Sequence, residues 1–290
     1  MRTFLDADRF IIGCDDDAVA ADVARLYEPL GRPLVRMAVR SAEMTKHACN
    51  AFLATSISFI NEIADVCAEV GADVDAVTRG MKLDQRIGAH AFLGAGLGFA
   101  GGTLGRDVRA LQTLGGMAGV ETRVLDAVLA VNQSRAALPL RQLRSVFGEV
   151  AGLTVGVLGL TYKAGTSTMR QSAALELIRM LVAHGARVRA YDPLATLDDV
   201  PDPPPFERVD GVAEAALGAD ALVFVTAWEG MDGLDVGDIA RHMRRRVFID
   251  TANRFDPERM AAAGFVYLGV GRGDGAAPPM PVEAALGAAG

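Results

Sequence analysis

The stretch LTVGVLGL, residues 153–160, decides the fold. It is a continuous apolar run rich in valine and leucine, opened by the turn residue Gly152, and it reads as a strand buried on both faces. SAALELIRMLVAHG (172–185) follows as an amphipathic helix, and ARVRAYDP (186–193) as a strand ending in an acid. Together they make one βαβ unit. DALVFVTAW (220–228) and RRVFIDTAN (245–253) add two buried strands, with VAEAALGA (212–219) and VGDIARHM (236–243) as intervening helices. A parallel, Rossmann-like sheet is the economical arrangement.

Upstream the period is helical. AEMTKHACNAFLATSISFINEIADVCAEVG (42–71) is one long run with Ser41 as its candidate cap and Gly71 as its stop, and DVDAVTRGM (73–81) is a short helix. Residues 121–147 read as a second long helix, kinked at Pro139, of the kind that bridges domains or forms a dimer seam, and the spacing of Val124, Val128 and Val131 permits the latter. Before Ser41, RFIIG (9–13) and RPLVRMAV (32–39) are strand-like and flank an acid-capped helix, a fragment of an α/β unit rather than a domain. The expected division is a remnant of an N-terminal α/β domain at 1–40, a helical central unit at 41–148, a Rossmann-like unit at 149–275 and a flexible tail at 276–290. The proline-rich DDVPDPPPFERVD (198–210) is read as a surface loop.

The chain has 290 residues, half of them hydrophobic, so a sizeable core is available. With 29 basic and 36 acidic residues its formal charge is −7, which argues against nucleic-acid or acidic-membrane partners. No uninterrupted apolar run reaches the roughly 18 residues of a membrane span, and the start is too charged for a signal peptide. Cys14, Cys49 and Cys67 lack metal-ligand spacing and read as reduced, buried thiols, so the expected location is the cytoplasm and no metal is expected.

GLGFAGGTLGRD (96–107) contains G-x-G-x-x-G, but no strand feeds its first glycine and the helical pattern resumes only near Val108. The dinucleotide fingerprint has mechanical meaning only between a strand and a helix. A glycine-rich loop joining helices fits better.

These segments in order resemble the UDP-glucose/GDP-mannose dehydrogenase family from Ser41 to Gly273. SAEMTKHACNAFLATSISFINEIA (41–64) looks like the family's substrate-domain entry helix, which places a catalytic lysine and asparagine at Lys46 and Asn50. LDQRIG (83–88) resembles its D-x-R-I-G segment and puts a sugar-binding arginine at Arg86. VLGLTYKAGTSTMR (157–170) resembles its lysine-bearing turn, which sets Lys163 near the nucleotide and retains Arg170. The glycine-rich loop aligns with the family's active-site loop G-x-G-F-G-G-S-C-F-P-K-D. The nucleophilic cysteine then falls on Thr103, the following lysine on Arg106, and the aspartate on Asp107.

The resemblance implies a nucleotide-sugar ligand, a homodimer, and alcohol oxidation in two steps with the thiolate trapping the aldehyde. Expected ligand contacts are Arg86, Phe99, Arg106, Lys163 and Arg170, and Lys46, Asn50, Thr103 and Asp107 are the expected catalytic groups. A threonine hydroxyl ionises far less readily than a thiol, so Thr103 reads as a hydrogen-bond donor. Other positions also differ: the paired acids after the lysine turn become Ser167 and Thr168, and the arginine of a late D-x-R-N segment becomes Ala252. No glycine fingerprint precedes Ser41.

From these departures comes the expectation that NAD-dependent oxidation is lost and no cofactor is bound. Lys46 and Asp107 would then perform redox-neutral acid/base chemistry of isomerase, lyase or cyclase type. The alternatives are a non-catalytic nucleotide-sugar-binding or regulatory protein, and, third, a dehydrogenase that borrows a nucleotide domain from another chain. His47, about 100° around the helix from Lys46, reads as a structural histidine. Trp228 reads as packing on the sheet end.

Overall fold

The structure, a computed structural model, describes residues 6–273. The tail read as flexible lies outside the described residues. The described chain opens with strand β1 (Phe10–Gly13), helix α1 (Asp17–Tyr27) and strand β2 (Leu34–Met37), and β1 and β2 pair in parallel as a two-stranded sheet. Asp16 starts α1 by accepting the Ala18 and Val19 N–H groups at 2.8 and 3.0 Å. This satisfies donors that have no partner within the first turn of a helix.

Helix α2 (Val39–Val70) runs for 32 residues. It begins at Val39, two residues before the expected Ser41 cap, with Ala38 at the cap position and no side-chain cap, and it stops at Gly71, whose φ of 75° is left-handed. By length and composition α2 would suit a membrane crossing. Its Ala51 and Ala54 are instead buried with Val108 and Val128, and its Ile60, Ala64 and Cys67 with Leu93 and Val270, which makes it the core helix of the middle region. Helices α3 (Val74–Leu83), α4 (Leu104–Met117), α5 (Arg123–Arg135) and α6 (Leu138–Phe147) complete that region.

The long helix expected over 121–147 is two helices. The chain breaks at Ala136 and Ala137, and Pro139 stands in the first turn of α6, where its missing N–H removes no helical bond. Val128 is buried against α2 and α4, which removes it from any outer seam.

Beyond α6 the elements are β3 (Thr154–Leu158), α7 (Ala173–Ala183), β4 (Arg187–Tyr191), β5 (Glu207–Arg208), α8 (Val212–Ala216), β6 (Ala221–Phe224), α9 (Val236–His242), β7 (Val247–Asp250), α10 (Pro257–Ala262) and β8 (Val266–Leu268). The sheet order is β5-β4-β3-β6-β7-β8 and every pairing is parallel. Every residue of β3, β6 and β7 is buried, as their uninterrupted apolar runs require.

One face packs on Leu177, Ile178 and Leu181 of α7; the other holds Phe224, Phe248 and Met260. Trp228 meets Tyr191 edge-on at 5.7 Å and Phe224 at 6.0 Å, the packing role read for it. β5 lies inside the proline-rich stretch read as a loop; two residues are too few to show a period.

The last described residues tie the sheet to the helices. Arg272 donates to Asp75 of α3 at 2.7 Å, and the Val74 N–H donates to the Gly271 carbonyl at 2.9 Å. The C-terminal ends of the strands therefore face the glycine-rich loop, where open parallel sheets place their ligands.

Candidate functional site

Asp107 sits in the first turn of α4 with its side chain 1% exposed. Lys46 Nζ and Asn50 Nδ2, one helical turn apart on α2, both donate to its Oδ2. That spacing puts them on one face of the helix. Its Oδ1 lies 3.3 Å from His47 Nδ1 and 3.5 Å from Arg106 Nε.

Burial pushes the Asp107 carboxyl up, but the Lys46 and Asn50 hydrogen bonds and the Lys46 and His47 charges outweigh it and hold the pKa at about 2. Asp107 is therefore an ionised anchor, and Lys46, half exposed, is the group that can meet a ligand.

His47 is the residue that the sequence reading undervalued. Its Nδ1 is buried beside Asp107 without a geometrically sound hydrogen bond. The 100° between adjacent helical residues separates Lys46 from His47, but the two carboxylate oxygens span that arc.

The loop 94–103 leads into α4. Gly101 runs at φ 75°, and a Cβ there would lie 2.6 Å from the Tyr162 ring, so only glycine lets the loop close on that side chain. Its N–H donates to the Gln171 carbonyl at 3.2 Å, and Gln171 itself has a positive φ of 56°. Loop and lysine-bearing turn thus meet.

Between them opens a cleft of about 770 Å³, lined by Thr103, Arg106, Arg109, Tyr162, Lys163 and Arg170 among others, and by no carboxylate-bearing residue. Thr103 stands at the N-terminal end of α4 and makes no cap hydrogen bond with its hydroxyl. Asp199 braces the turn: the Thr168 hydroxyl donates to it, as do the Met169 and Arg170 N–H groups at 3.3 and 3.4 Å. The Thr168 bond first, with those backbone bonds, holds the Asp199 carboxyl below its ordinary range.

Phe99 and Arg170 also line an adjoining cleft of about 390 Å³ with Arg109, Asn132 and Arg179. A third, of about 250 Å³, lies where the loop meets the ends of β3, β6 and β7 at Thr161, Thr226 and Thr251. On the far side, Lys46 and Asn50 line a hollow of about 440 Å³ with Arg9 and Cys49.

Of the expected site residues, Lys46, Asn50, Asp107 and Arg106 converge, and Thr103, Lys163 and Arg170 line the 770 Å³ cleft with Arg106. Phe99 is one cleft over. Arg86 stands apart: it is 89% exposed and paired with Asp84 at 2.7 Å. Of the cysteines only Cys67 is buried; Cys14 and Cys49 are partly exposed. Arg109, Gln171 and Asn132 carried no signal in the sequence beyond their polarity.

A chain with this site matches the central domain of the UDP-glucose/GDP-mannose dehydrogenase family over residues 40–134 and the family's UDP binding domain over residues 156–257. The chain belongs to this family. It is 38% identical over 273 residues to UDP-glucose 6-dehydrogenase TuaD of Bacillus subtilis, covering 92% of this chain and 58% of that protein. It is 40% identical over 279 residues to a UDP-glucose 6-dehydrogenase of Pseudomonas aeruginosa, with 93% and 61% covered. A UDP-glucose dehydrogenase structure from Pyrobaculum islandicum superposes with a TM-score of 0.81 at 31% identity, covering 94% of this chain and 60% of that one. The chain spans about three fifths of the length of the curated relatives it matches.

Family membership corrects the expectation that oxidation is lost. Relatives sharing 38% and 40% of their residues across more than nine tenths of this chain are dehydrogenases, and this outweighs the substitutions at Thr103 and Ala252. The readings as a redox-neutral enzyme and as a mere binder fall with it, as does the exclusion of NAD-dependent dehydrogenase activity. The substitutions at Thr103 and Ala252 leave the Lys46–Asp107 pair and the basic cleft in place, so they do not carry the inference of a different chemistry. The point at which a chain begins says nothing about its redox chemistry.

The family's name implies a hydride acceptor, and a nicotinamide dinucleotide supplies one. Among the described residues a Cβ on Gly13 would lie 2.7 Å from the Ala42 Cβ, so the end of β1 is packed against α2 and offers no cradle for a pyrophosphate. No step is assigned through the dinucleotide.

Proposed function

We propose that this chain binds a nucleotide sugar of the UDP-glucose type in the 770 Å³ cleft and supplies the proton-handling groups for oxidation of its sugar alcohol. One observation carries the reading. Four cationic side chains, Arg106, Arg109, Lys163 and Arg170, line one cleft without a carboxylate, and Arg106 Nε lies 3.5 Å from Asp107, the partner of Lys46. A diphosphate is the ligand chemistry that such a cleft favours.

Lys46 donates a hydrogen bond to the sugar oxygen and steadies the negative charge left there as its proton passes to solvent, and Asp107 keeps the ammonium in place. Asn50 fixes the carboxylate from the same side. Thr103 occupies the position that the family resemblance gives to the nucleophilic cysteine, and here it donates a hydrogen bond to the ligand. Exposed Met117, Val120 and Val124 at the turn between α4 and α5 suit a second copy of the chain, which makes a homodimer part of this reading.

Isothermal titration with UDP and with UDP-glucose tests the site. Both are expected to bind, and Arg170→Ala is expected to weaken both. No heat from either ligand at millimolar concentration would refute the assignment.

A further inference from the structure

The glycine-rich loop is gripped from beneath by three polar side chains of the helical region. Asn132 on α5 accepts the Phe99 N–H on Oδ1 at 2.7 Å and donates from Nδ2 to the Phe99 carbonyl at 3.1 Å. One amide thereby holds both backbone groups of one residue, which fixes the rotation of that stretch as well as its position. Asn61 on α2, fully buried, accepts the Gly96 N–H at 2.8 Å. Arg135, also fully buried, donates from Nε to the Gly96 carbonyl at 3.1 Å and from Nη1 to Asp65 at 2.5 Å.

Between the two gripped residues Gly98 runs at φ 81°, and a Cβ there would stand 2.3 Å from Asn132 Oδ1. The loop can follow this path only with glycine at 98. A fully buried guanidinium whose Nη2 has no partner is costly, and such a cost persists where the surrounding geometry needs the group.

The geometry points to Asn132, supported by Asn61 and Arg135, as a positioning residue that presets the glycine-rich loop before ligand arrives. A loop held in its binding shape loses less entropy when the ligand docks, so the clamp raises affinity without touching the chemistry. The inference rests on the reading of the cleft as the nucleotide-sugar site.

Hydrogen–deuterium exchange on the ligand-free protein tests the clamp, and UDP-glucose titration tests its consequence. In Asn132→Ala the peptide covering residues 96–103 is expected to exchange roughly three- to tenfold faster, with the sheet peptides unchanged, and UDP-glucose affinity to fall by a similar factor. Asn132→Asp keeps an acceptor for the Phe99 N–H and is expected to restore most of the slow exchange. Loop exchange that stays at the unsubstituted rate in folded Asn132→Ala overturns the clamp. Faster exchange at unchanged affinity overturns the positioning role. Failure of the unsubstituted protein to bind UDP-glucose overturns the site assignment instead, and the exchange rates alone then decide the clamp.

Discussion

Lys46 and Asp107, 61 residues apart in the chain, form an ion pair in which the lysine is 52% exposed and the carboxylate 1% exposed. The buried member sets the geometry and the exposed member is free to act.

Turnover and affinity should therefore separate at Lys46. Lys46→Ala is expected to lower UDP-glucose oxidation by about 10²- to 10⁴-fold, the usual contribution of a positioned proton-handling group. UDP affinity should stay within about threefold of the unsubstituted protein, since Lys46 is not in the phosphate-facing cleft. Parallel loss of both, measured by steady-state kinetics and titration, would contradict the assignment.

Acid stability should report the same pair. The Asp107 pKa is about 2 in the folded state against an ordinary 3.8, so the unfolded chain binds the proton more readily. The stabilisation is complete above the unfolded value and is lost as pH falls from about 4 through about 2; the shift corresponds to about 2 kcal/mol. Urea unfolding between pH 5 and pH 2.5 should show this slope flattened in Asp107→Asn. In Lys46→Ala the largest of the opposing influences is gone, so the folded-state pKa moves up towards the unfolded value and the loss of stability on acidification should be smaller.

Binding of UDP should weaken with salt. With four cations and no acid in the cleft lining, affinity is expected to fall as ionic strength rises, because screening acts on each phosphate contact. Lys163→Ala and Arg170→Ala should each cost about tenfold in affinity and reduce the salt dependence. Salt-independent titration curves would place the phosphates elsewhere.

Thr103 tests the role of the α4 entrance. A hydroxyl that only donates a hydrogen bond is worth about 0.5–1.5 kcal/mol, so Thr103→Ala should reduce kcat/KM by roughly three- to tenfold. A loss of 10⁴-fold would assign it covalent work.

The edge formed by Met117, Val120 and Val124, exposed at 82%, 60% and 65%, should be covered by a second copy. Light scattering is expected to give twice the chain mass, and Val124→Arg to give the monomer. A monomeric mass for the unsubstituted protein would remove the dimer from the reading.

Much of this was legible in the chain itself. The runs at 153–160, 220–228 and 245–253 became β3, β6 and β7 because a strand covered on both faces must be mostly apolar, and Gly71 ended α2 because glycine tolerates its positive φ. The pattern failed where an element was too short to show a period, as in β5, or where one helix follows another with only Ala136 and Ala137 between them. Family motifs placed Lys46, Asn50 and Asp107, but they did not say that His47 would share the carboxylate.

By itself the sequence determined the longer helices and the central strands, since burial imposes its period on neighbours within one element. It also determined the residue types on offer: two cations, an amide and an acid near the loop. Only the tertiary structure decided that Lys46, His47 and Asn50 of α2 meet Asp107 of α4, that Asn132 holds Phe99, and that Arg86 stands in solvent. Those contacts depend on where two helices cross and how a loop passes between them, and the packing of the whole core, rather than any local period, sets that crossing.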